Sequence, residues 1–181
     1  CGIPTALLSN HTGFRTFYSK DLTDELIPVG RQLKIENIAF DAVYTGYIAS
    51  IHQMELISDF IDDFKEEDTL IFVDPVMGDD GVLYDGFESD FCDEMKKLIK
   101  KADIIVPNVT EACFITNTEY KTEYDRTYVD TLIKKLSAIG AKNIILTGIG
   151  YEKGKTGAVV YENGEYSYYE HDLLPNSCHG T

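Results

Sequence analysis

Residues 69–79 read TLIFVDPVMGD, a short apolar run that ends in a carboxylate and a turn. The run 69–73 lacks the polar alternation of a half-exposed strand, which predicts a strand buried on both faces of a parallel sheet. Comparable runs predict the other strands, at about 3–8, 39–44, 103–106 and 143–146. The chain therefore begins to look like an α/β protein.

Helical periodicity fills the intervals between these runs. Ser50 and Gln53 have the spacing of a capping box at the start of one helix. Apolar stripes indicate helices after Ser50 and after Ser89, a third stripe covers residues 129–136, and Gly140 is suited to end that helix. The segment 22–36 leaves two possibilities, because Pro28 either opens a helix or interrupts one.

The rhythm changes near the end of the chain. Residues 156–161 and 165–169 flank Asn163-Gly164, the dipeptide typical of a type I′ hairpin turn. No repeat or linker divides the chain. We therefore predict a single α/β domain over 1–181, with a mainly parallel central sheet and a C-terminal β-hairpin.

Composition and charge exclude several classes of protein. The 181 residues include 16 Lys and Arg against 31 Asp and Glu, a net charge of −15, so the surface repels nucleic-acid phosphates. No apolar run approaches the roughly 20 residues of a membrane span, and no basic region of a signal peptide opens the chain. Four dispersed cysteines, none in a CxxC pair, favour unpaired thiols and a cytoplasmic location.

Polar groups and glycines follow four of the predicted strands. They are Thr45-Gly46-Tyr47, Asp74 through Asp79, Pro107 through Glu111, and Thr147-Gly148. Ligands of open α/β sheets bind beyond the carboxyl ends of the strands, so we expect these groups to converge on one edge. A polyphosphate bound by so acidic a chain would need a divalent cation and backbone N–H donors.

Each of these polar groups also has a purely structural interpretation. Asp74 is either an Asp-Pro turn or a carboxylate aimed at a metal or a substrate proton. Asn108 and Glu111 are three residues apart, so they either cap a helix or contribute to a magnesium shell, directly or through water. Asp79, with Asp80 and Gly81, is compatible with a plain acidic turn, and the segment lacks the alternating ligand spacing of a calcium loop.

Common nucleotide and hydrolase signatures are absent from the sequence. The chain contains no GxxxxGK[ST], no GxGxxG after the first strand, and no GxSxG. Its last residues, 176–181, have the small polar composition of the entry to an anion-binding helix.

Several segments together identify the chain as similar to the pyridoxal kinase branch of the ribokinase-like superfamily. They are residues 9–14 (SNHTGF), 44–47 (YTGY), 74–79 (DPVMGD), 107–111 (PNVTE) and the terminal Gly180-Thr181. DPVMGD and N-x-x-E are shared with hydroxymethylpyrimidine kinases, whereas SNHTG with TGY is more particular to pyridoxal kinases.

The resemblance implies ATP- and Mg²⁺-dependent phosphorylation of the 5′-hydroxymethyl group of pyridoxal, pyridoxamine or pyridoxine. It also implies a mainly parallel sheet with helices on both faces, and a homodimer. Whether a monovalent cation assists stays open. The expected partners are the vitamin B6 vitamer and ATP, with no nucleic acid and no membrane.

The same resemblance assigns roles to individual positions. Substrate contacts fall to His11, Thr12, Gly13 and Tyr47. The phosphate and Mg²⁺ region falls to Asp74 and Glu111, supported by Asn108 and Asp79. The resemblance places the nucleotide near Val106 and Thr147, and it places Gly180 and Thr181 at the start of the anion hole.

Two family features lie outside these 181 residues. The family's first strand and substrate loop would precede Cys1, and its catalytic Asp would be the second residue after Thr181. By this resemblance the chain is truncated at both ends, and residues 1–181 alone are expected to be inactive. The alternatives are a hydroxymethylpyrimidine kinase of thiamine synthesis and, from another class, a non-catalytic relative that binds vitamin B6.

Overall fold

A computed structural model describes residues 1–10 and 14–174 of the chain. The helices are α1 (Thr23–Ile35), α2 (Ile51–Phe64), α3 (Ser89–Lys101), α4 (Val109–Thr116) and α5 (Arg126–Ile139). The strands are β1 (Ala6–Leu8), β2 (Ser19–Asp21), β3 (Ala42–Thr45), β4 (Leu70–Val73), β5 (Gly78–Asp79), β6 (Val82–Leu83), β7 (Ile104–Ile105), β8 (Asn143–Thr147), β9 (Lys155–Glu162) and β10 (Glu165–Asp172).

Six of these strands form the central sheet, in the order β10-β9-β8-β7-β4-β3. β3, β4, β7 and β8 pair in parallel, while β9 runs antiparallel to β8 and β10 antiparallel to β9. Asn163 and Gly164 both have positive φ angles at the β9–β10 turn, as a type I′ turn requires. The predicted α/β class, the mainly parallel sheet and the C-terminal hairpin are confirmed.

Alternate residues of the parallel strands supply the core. Ile71, Val73, Ile105, Ile144 and Leu146 are completely buried. They belong to one cluster with apolar residues of α3, α4 and α5, and α2 to α5 contact one another in succession.

The other face of the sheet, which carries Leu70 and Phe72, is less buried than the sequence predicts. Leu70 is 48% exposed and Phe72 is only half-buried, so β4 is not buried on both faces by the described residues. A run without polar alternation shows that both faces carry apolar side chains. It does not show how completely each face is covered.

Two short hairpins lie outside the central sheet. β1 pairs with β2 as a separate antiparallel sheet, so the strand predicted at 3–8 does not join the parallel set. Leu7 and Leu8 are exposed there, which explains why an apolar run alone did not distinguish a local hairpin from a core strand. β5 and β6 form the second hairpin, directly after β4.

The start of α2 is joined to the N-terminal segment and to α1 by one side chain. Ser50 Oγ accepts a hydrogen bond from Gln53 N at 3.1 Å, as the predicted cap requires, whereas Gln53 Oε1 accepts from Ala49 N at 2.7 Å. Gln53 Nε2 donates to Thr5 O and to Thr23 Oγ1. This fully buried amide therefore joins the first residues of the chain and the start of α1 to α2.

Pro28 lies inside α1, so neither sequence possibility for it was right. Proline lacks an N–H group, and the carbonyl four residues earlier loses its helical partner. The helix tolerates this loss in its second turn. No helix in the described residues is both long and apolar enough to cross a membrane.

Candidate functional site

The carboxyl ends of the four parallel strands lie side by side. Asp74 N donates to Thr45 O at 3.3 Å, and Val106 N donates to Val73 O at 3.0 Å. Thr147 N donates to Pro107 O at 2.9 Å, and Asn108 forms an isolated parallel bridge with Thr147. The expected convergence of polar groups on one edge of the sheet is therefore observed.

The N-terminus of α4 is built by a reciprocal cap. Asn108 Oδ1 accepts from Glu111 N at 2.9 Å, and Glu111 Oε2 accepts from Asn108 N at 2.8 Å. This is a capping box, in which each side chain binds a backbone N–H that the helix leaves unpaired. The capping interpretation thus describes both residues, and their contact with magnesium stays a prediction.

Glu111 also connects α4 to the segment after β4. Its Oε1 accepts from Met77 N at 3.2 Å, and the side chain is almost completely buried. Burial raises the pKa of Glu111 to about 8, the backbone N–H groups of Asn108 and Met77 oppose that shift, and the charge of Asp74 adds to it. At neutral pH Glu111 is therefore mostly in its protonated, uncharged form.

Asp74 stands at the end of β4 beside a tyrosine of the neighbouring strand. The hydroxyl of Tyr44 donates to Asp74 Oδ2 at 3.0 Å. Burial raises the pKa of Asp74, and the hydrogen bond from Tyr44 partly offsets the rise. Within residues 1–10 and 14–174 the carboxylate has this one hydrogen bond, to Oδ2.

Asp79 lies on a hairpin docked against α4. Asp80 and Gly81 both have positive φ angles and form its turn. Asn108 Nδ2 donates to Gly78 O at 2.8 Å, and Gly81 N donates to Thr110 Oγ1 at 2.9 Å. A side chain at position 78 would clash with Val82 O, so the close approach of β5 and β6 requires glycine there.

The carboxylates do not form a preassembled metal cage. In the part of the chain that the structure describes, no three His, Cys, Asp or Glu side chains are grouped closely enough to hold a metal ion. Asp74, Asp79 and Glu111 are therefore not brought together as a three-carboxylate set. Mg²⁺ normally takes one or two carboxylates together with waters and phosphate oxygens, and the carboxylate of Asp74 fits that smaller donor set. Both oxygens of Glu111 already accept backbone N–H bonds.

Tyr47 lies two residues beyond β3, on the edge of a separate groove. Its backbone oxygen accepts from Thr5 Oγ1 at 2.7 Å, and its ring centroid is 6.1 Å from that of Phe87. The groove encloses about 700 Å³ between the first residues of the chain, α1, α2 and β3. Tyr47 and Thr45 line it, whereas Asp74, Glu111 and Thr147 do not.

Five predicted residues lie outside the described part of the chain. They are His11, Thr12, Gly13, Gly180 and Thr181. Their substrate and anion-hole roles stay predictions.

Two tyrosines near the carboxylates were not assigned roles by sequence reasoning. Tyr44 binds Asp74, and burial followed by the charge of Asp74 raises the pKa of its phenol to about 12. Burial also raises the pKa of Tyr84, with further contributions from Asp79, Glu111 and Asp74. Tyr44 was part of a quoted motif, but its contact depends on the pairing of β3 with β4, which no local pattern specifies.

Comparison with known proteins gives consistent matches. The family model for phosphomethylpyrimidine kinase matches residues 5–181. A pyridoxal kinase from Dictyostelium discoideum is 29% identical over 159 residues, covering 84% of this chain and 51% of that protein.

Solved structures agree with these sequence matches. A candidate phosphomethylpyrimidine kinase from Bacteroides thetaiotaomicron, crystallised with pyridoxal, is 39% identical with a TM-score of 0.89, covering 97% of this chain and 63% of that one. Pyridoxal kinase from Lactobacillus plantarum is 30% identical with a TM-score of 0.83, covering 97% and 62%. The chain thus spans about half the length of the curated relative and somewhat over three fifths of each solved one.

The buried carboxyl group gives a pH test of this site. The pKa of Glu111 is about 8 in the folded chain, against 4.5 as its ordinary value, so the folded state binds the extra proton between these limits. Stability should therefore fall as pH rises from about 5 to 8. We expect Glu111→Gln to be less stable than wild type at pH 5, because the amide can accept only one of the two backbone N–H bonds. The difference in free energy of unfolding between the two proteins should become smaller toward pH 8, because wild type loses stability over this range.

Urea unfolding at pH 5, 6, 7 and 8 without divalent cations measures the effect. Asp93→Asn, an exposed carboxylate on α3, is the matched control and should show no comparable trend relative to wild type. A constant difference between Glu111→Gln and wild type across this range would contradict the raised pKa.

Proposed function

Because this chain belongs to the phosphomethylpyrimidine kinase family, we propose that the full-length protein transfers the γ-phosphoryl group of ATP to the 5′-hydroxymethyl group of a vitamin B6 vitamer. Pyridoxal, pyridoxamine and pyridoxine are the candidate acceptors. The Bacteroides relative, crystallised with pyridoxal, and the Lactobacillus pyridoxal kinase support this choice of substrate class.

One observation carries the proposal. Asp74, the capped N-terminus of α4 and Thr147 meet at the carboxyl edge of four parallel strands. Phosphoryl transfer demands little covalent chemistry from a protein, and consists mainly of positioning and charge stabilisation. A carboxylate beside a helix N-terminus and a strand-end hydroxyl supplies the groups for both tasks.

Asp74 and Glu111 have different parts in this proposal. Asp74, with Oδ2 held by Tyr44, would hold Mg²⁺ through its other oxygen, and Glu111 would contact it through water. A magnesium ion held there would supply positive charge that offsets the negative charge of the phosphate groups. Glu111 orients the first turn of α4, because its two oxygens bind the N–H groups of Asn108 and Met77. Asp79 stays a predicted supporting residue, held nearby by the β5–β6 hairpin.

Val106 and Thr147 would contact the nucleotide. Both lie where β7 and β8 end, and Thr147 is fixed by two hydrogen bonds to Pro107 O, from N at 2.9 Å and from Oγ1 at 3.3 Å. Oγ1 is only partly buried at this edge and keeps its acceptor lone pairs. Tyr47 would line the pyridine ring or stack on it.

A direct assay of the full-length protein tests the function. Purified enzyme with ATP and Mg²⁺ should phosphorylate pyridoxal, pyridoxamine or pyridoxine, as measured by coupled ADP release and by chromatography of the phosphorylated product. Absence of product from all three vitamers would overturn the proposal.

The family description favours one rival substrate. Hydroxymethylpyrimidine and its phosphate should be tested in parallel, because the matching family model is that of phosphomethylpyrimidine kinases. A larger kcat/KM for the pyrimidine than for every B6 vitamer would replace the proposed function with that alternative. Binding of pyridoxal without turnover would instead support a non-catalytic relative.

Asp74→Asn should affect the two substrates unequally. The amide keeps the shape of the side chain and removes the charge that faces Mg²⁺, so we expect the KM for Mg-ATP to rise by about 10- to 100-fold. The KM for pyridoxal should change much less. Steady-state kinetics with each substrate varied separately gives both values, and Asp93→Asn serves as control. Equal changes in both KM values would contradict the role of Asp74.

Tyr47→Ala should selectively weaken binding of the acceptor substrate. Loss of an aromatic contact costs about 0.5–1.5 kcal/mol, so the KM for pyridoxal should rise by about two- to tenfold. Tyr169→Ala removes a more exposed ring on β10 and should leave that KM unchanged. A wild-type KM for pyridoxal in Tyr47→Ala would place Tyr47 outside the substrate pocket.

Two further properties belong to the proposal. We propose a homodimer and a cytoplasmic location, and the dependence on a monovalent cation stays open. Cys1, Cys92 and Cys113 are free thiols, which is consistent with a reducing compartment.

A further inference from the structure

Tyr124 occupies a fixed position just before α5. Its ring stacks on Tyr128 with centroids 5.7 Å apart, and meets Tyr151 edge-on at 6.4 Å. Arg126 lies over the ring of Tyr151, with its guanidinium carbon 5.6 Å from the ring centre. Contacts of this kind restrict a tyrosine to one orientation, so its hydroxyl group has a defined direction.

That hydroxyl group bridges the loop that follows β8. It donates to Gly148 O at 3.2 Å and lies 3.4 Å from Gly150 N, from which it accepts. Both backbone groups belong to residues 148–150, directly after the strand-end Thr147. The side chain thus joins the start of α5 to the rim of the candidate site.

The backbone of this loop is otherwise little restricted at Gly148. Gly148 has a φ of +71°, and a Cβ placed there would meet nothing within 4 Å, so the residue borders open space. Glycine imposes little restriction on its own backbone. Ile149 is buried and its N–H donates to Gly157 O at 3.0 Å, so with Tyr124 the peptide between Gly148 and Ile149 is held at both its C=O and its N–H.

From this geometry we propose that Tyr124 is a positioning residue for the nucleotide. By holding the Gly148 carbonyl and the Gly150 N–H, its hydroxyl orients residues 148–150, which directly follow Thr147 at the proposed nucleotide site. The effect is transmitted through the backbone, and Tyr124 itself does not touch the reacting atoms. The inference rests on the proposed function for the identity of the nucleotide.

Tyr124→Phe in the full-length protein tests the inference, because phenylalanine keeps the ring stack and removes only the hydroxyl. We expect the KM for ATP and the Kd for ADP, measured by calorimetry, each to rise about three- to tenfold, as loss of a hydrogen-bonding group allows. The KM for pyridoxal should stay within twofold of wild type. Thermal unfolding measured in parallel reports any general loss of stability.

Tyr128→Phe is the matched control. Tyr128 belongs to the same ring stack, but its hydroxyl contacts Cys113 Sγ and Glu119 O rather than the loop. The control should therefore leave ATP and ADP affinity unchanged, even if it lowers the unfolding temperature as much as Tyr124→Phe does. Equal changes in nucleotide affinity in the two variants would show a structural effect only and would overturn the inference.

The outcomes for this inference and for the proposed function are separable. Wild-type protein that phosphorylates no B6 vitamer would refute the proposed function, while ADP calorimetry on Tyr124→Phe would still decide the role of the loop. Unchanged ADP affinity in Tyr124→Phe, with normal wild-type turnover, would refute the inference alone. Wild-type protein that binds no ADP would refute both.

Discussion

The candidate site depends on one buried carboxyl group. Glu111 accepts hydrogen bonds from Asn108 N and from Met77 N, so a single side chain holds the start of α4 against the segment that follows β4. Asn108 completes the arrangement by binding both Glu111 N and Gly78 O. Removing a partner from a buried network leaves donors unsatisfied, which costs more than the bond itself contributes. The relative positions of Asp74, the hairpin and the helix therefore follow from this cap.

The same burial alters the charge of the site. The chain carries a net charge of −15, which would oppose the binding of a polyphosphate. With its pKa raised to about 8, Glu111 is largely uncharged at neutral pH, and the pKa of Asp74 is raised by burial as well. Protonation of Glu111 thus removes one negative charge from the rim of the sheet. A divalent cation near Asp74 would favour the ionised form of this carboxyl group. Binding of the cation and loss of the proton from Asp74 would therefore favour each other.

Much of the fold could be predicted because the controlling patterns are local. The apolar runs at 69–73 and 143–146, the turn at Asn163-Gly164 and the cap at Ser50 each depend on neighbouring residues, and the structure has the strands, hairpin and helix they indicate. Failures came where a local pattern had two tertiary outcomes. The run at 3–8 became a separate hairpin with exposed leucines, and Pro28 was accommodated within α1.

For the site, the sequence by itself determined the chemistry on offer: a carboxylate after one strand, an amide and a carboxylate three residues apart, and a hydroxyl after another strand. Only the tertiary structure decided how these groups are used. The order of the strands brought Asp74, Asn108 and Thr147 to adjacent positions, and the packing of α4 made Glu111 a helix cap whose pKa is raised by burial. Strand pairing also placed the hydroxyl of Tyr44 on Asp74. Strand register and solvent exclusion arise from contacts between residues distant along the chain, which no short segment of sequence encodes.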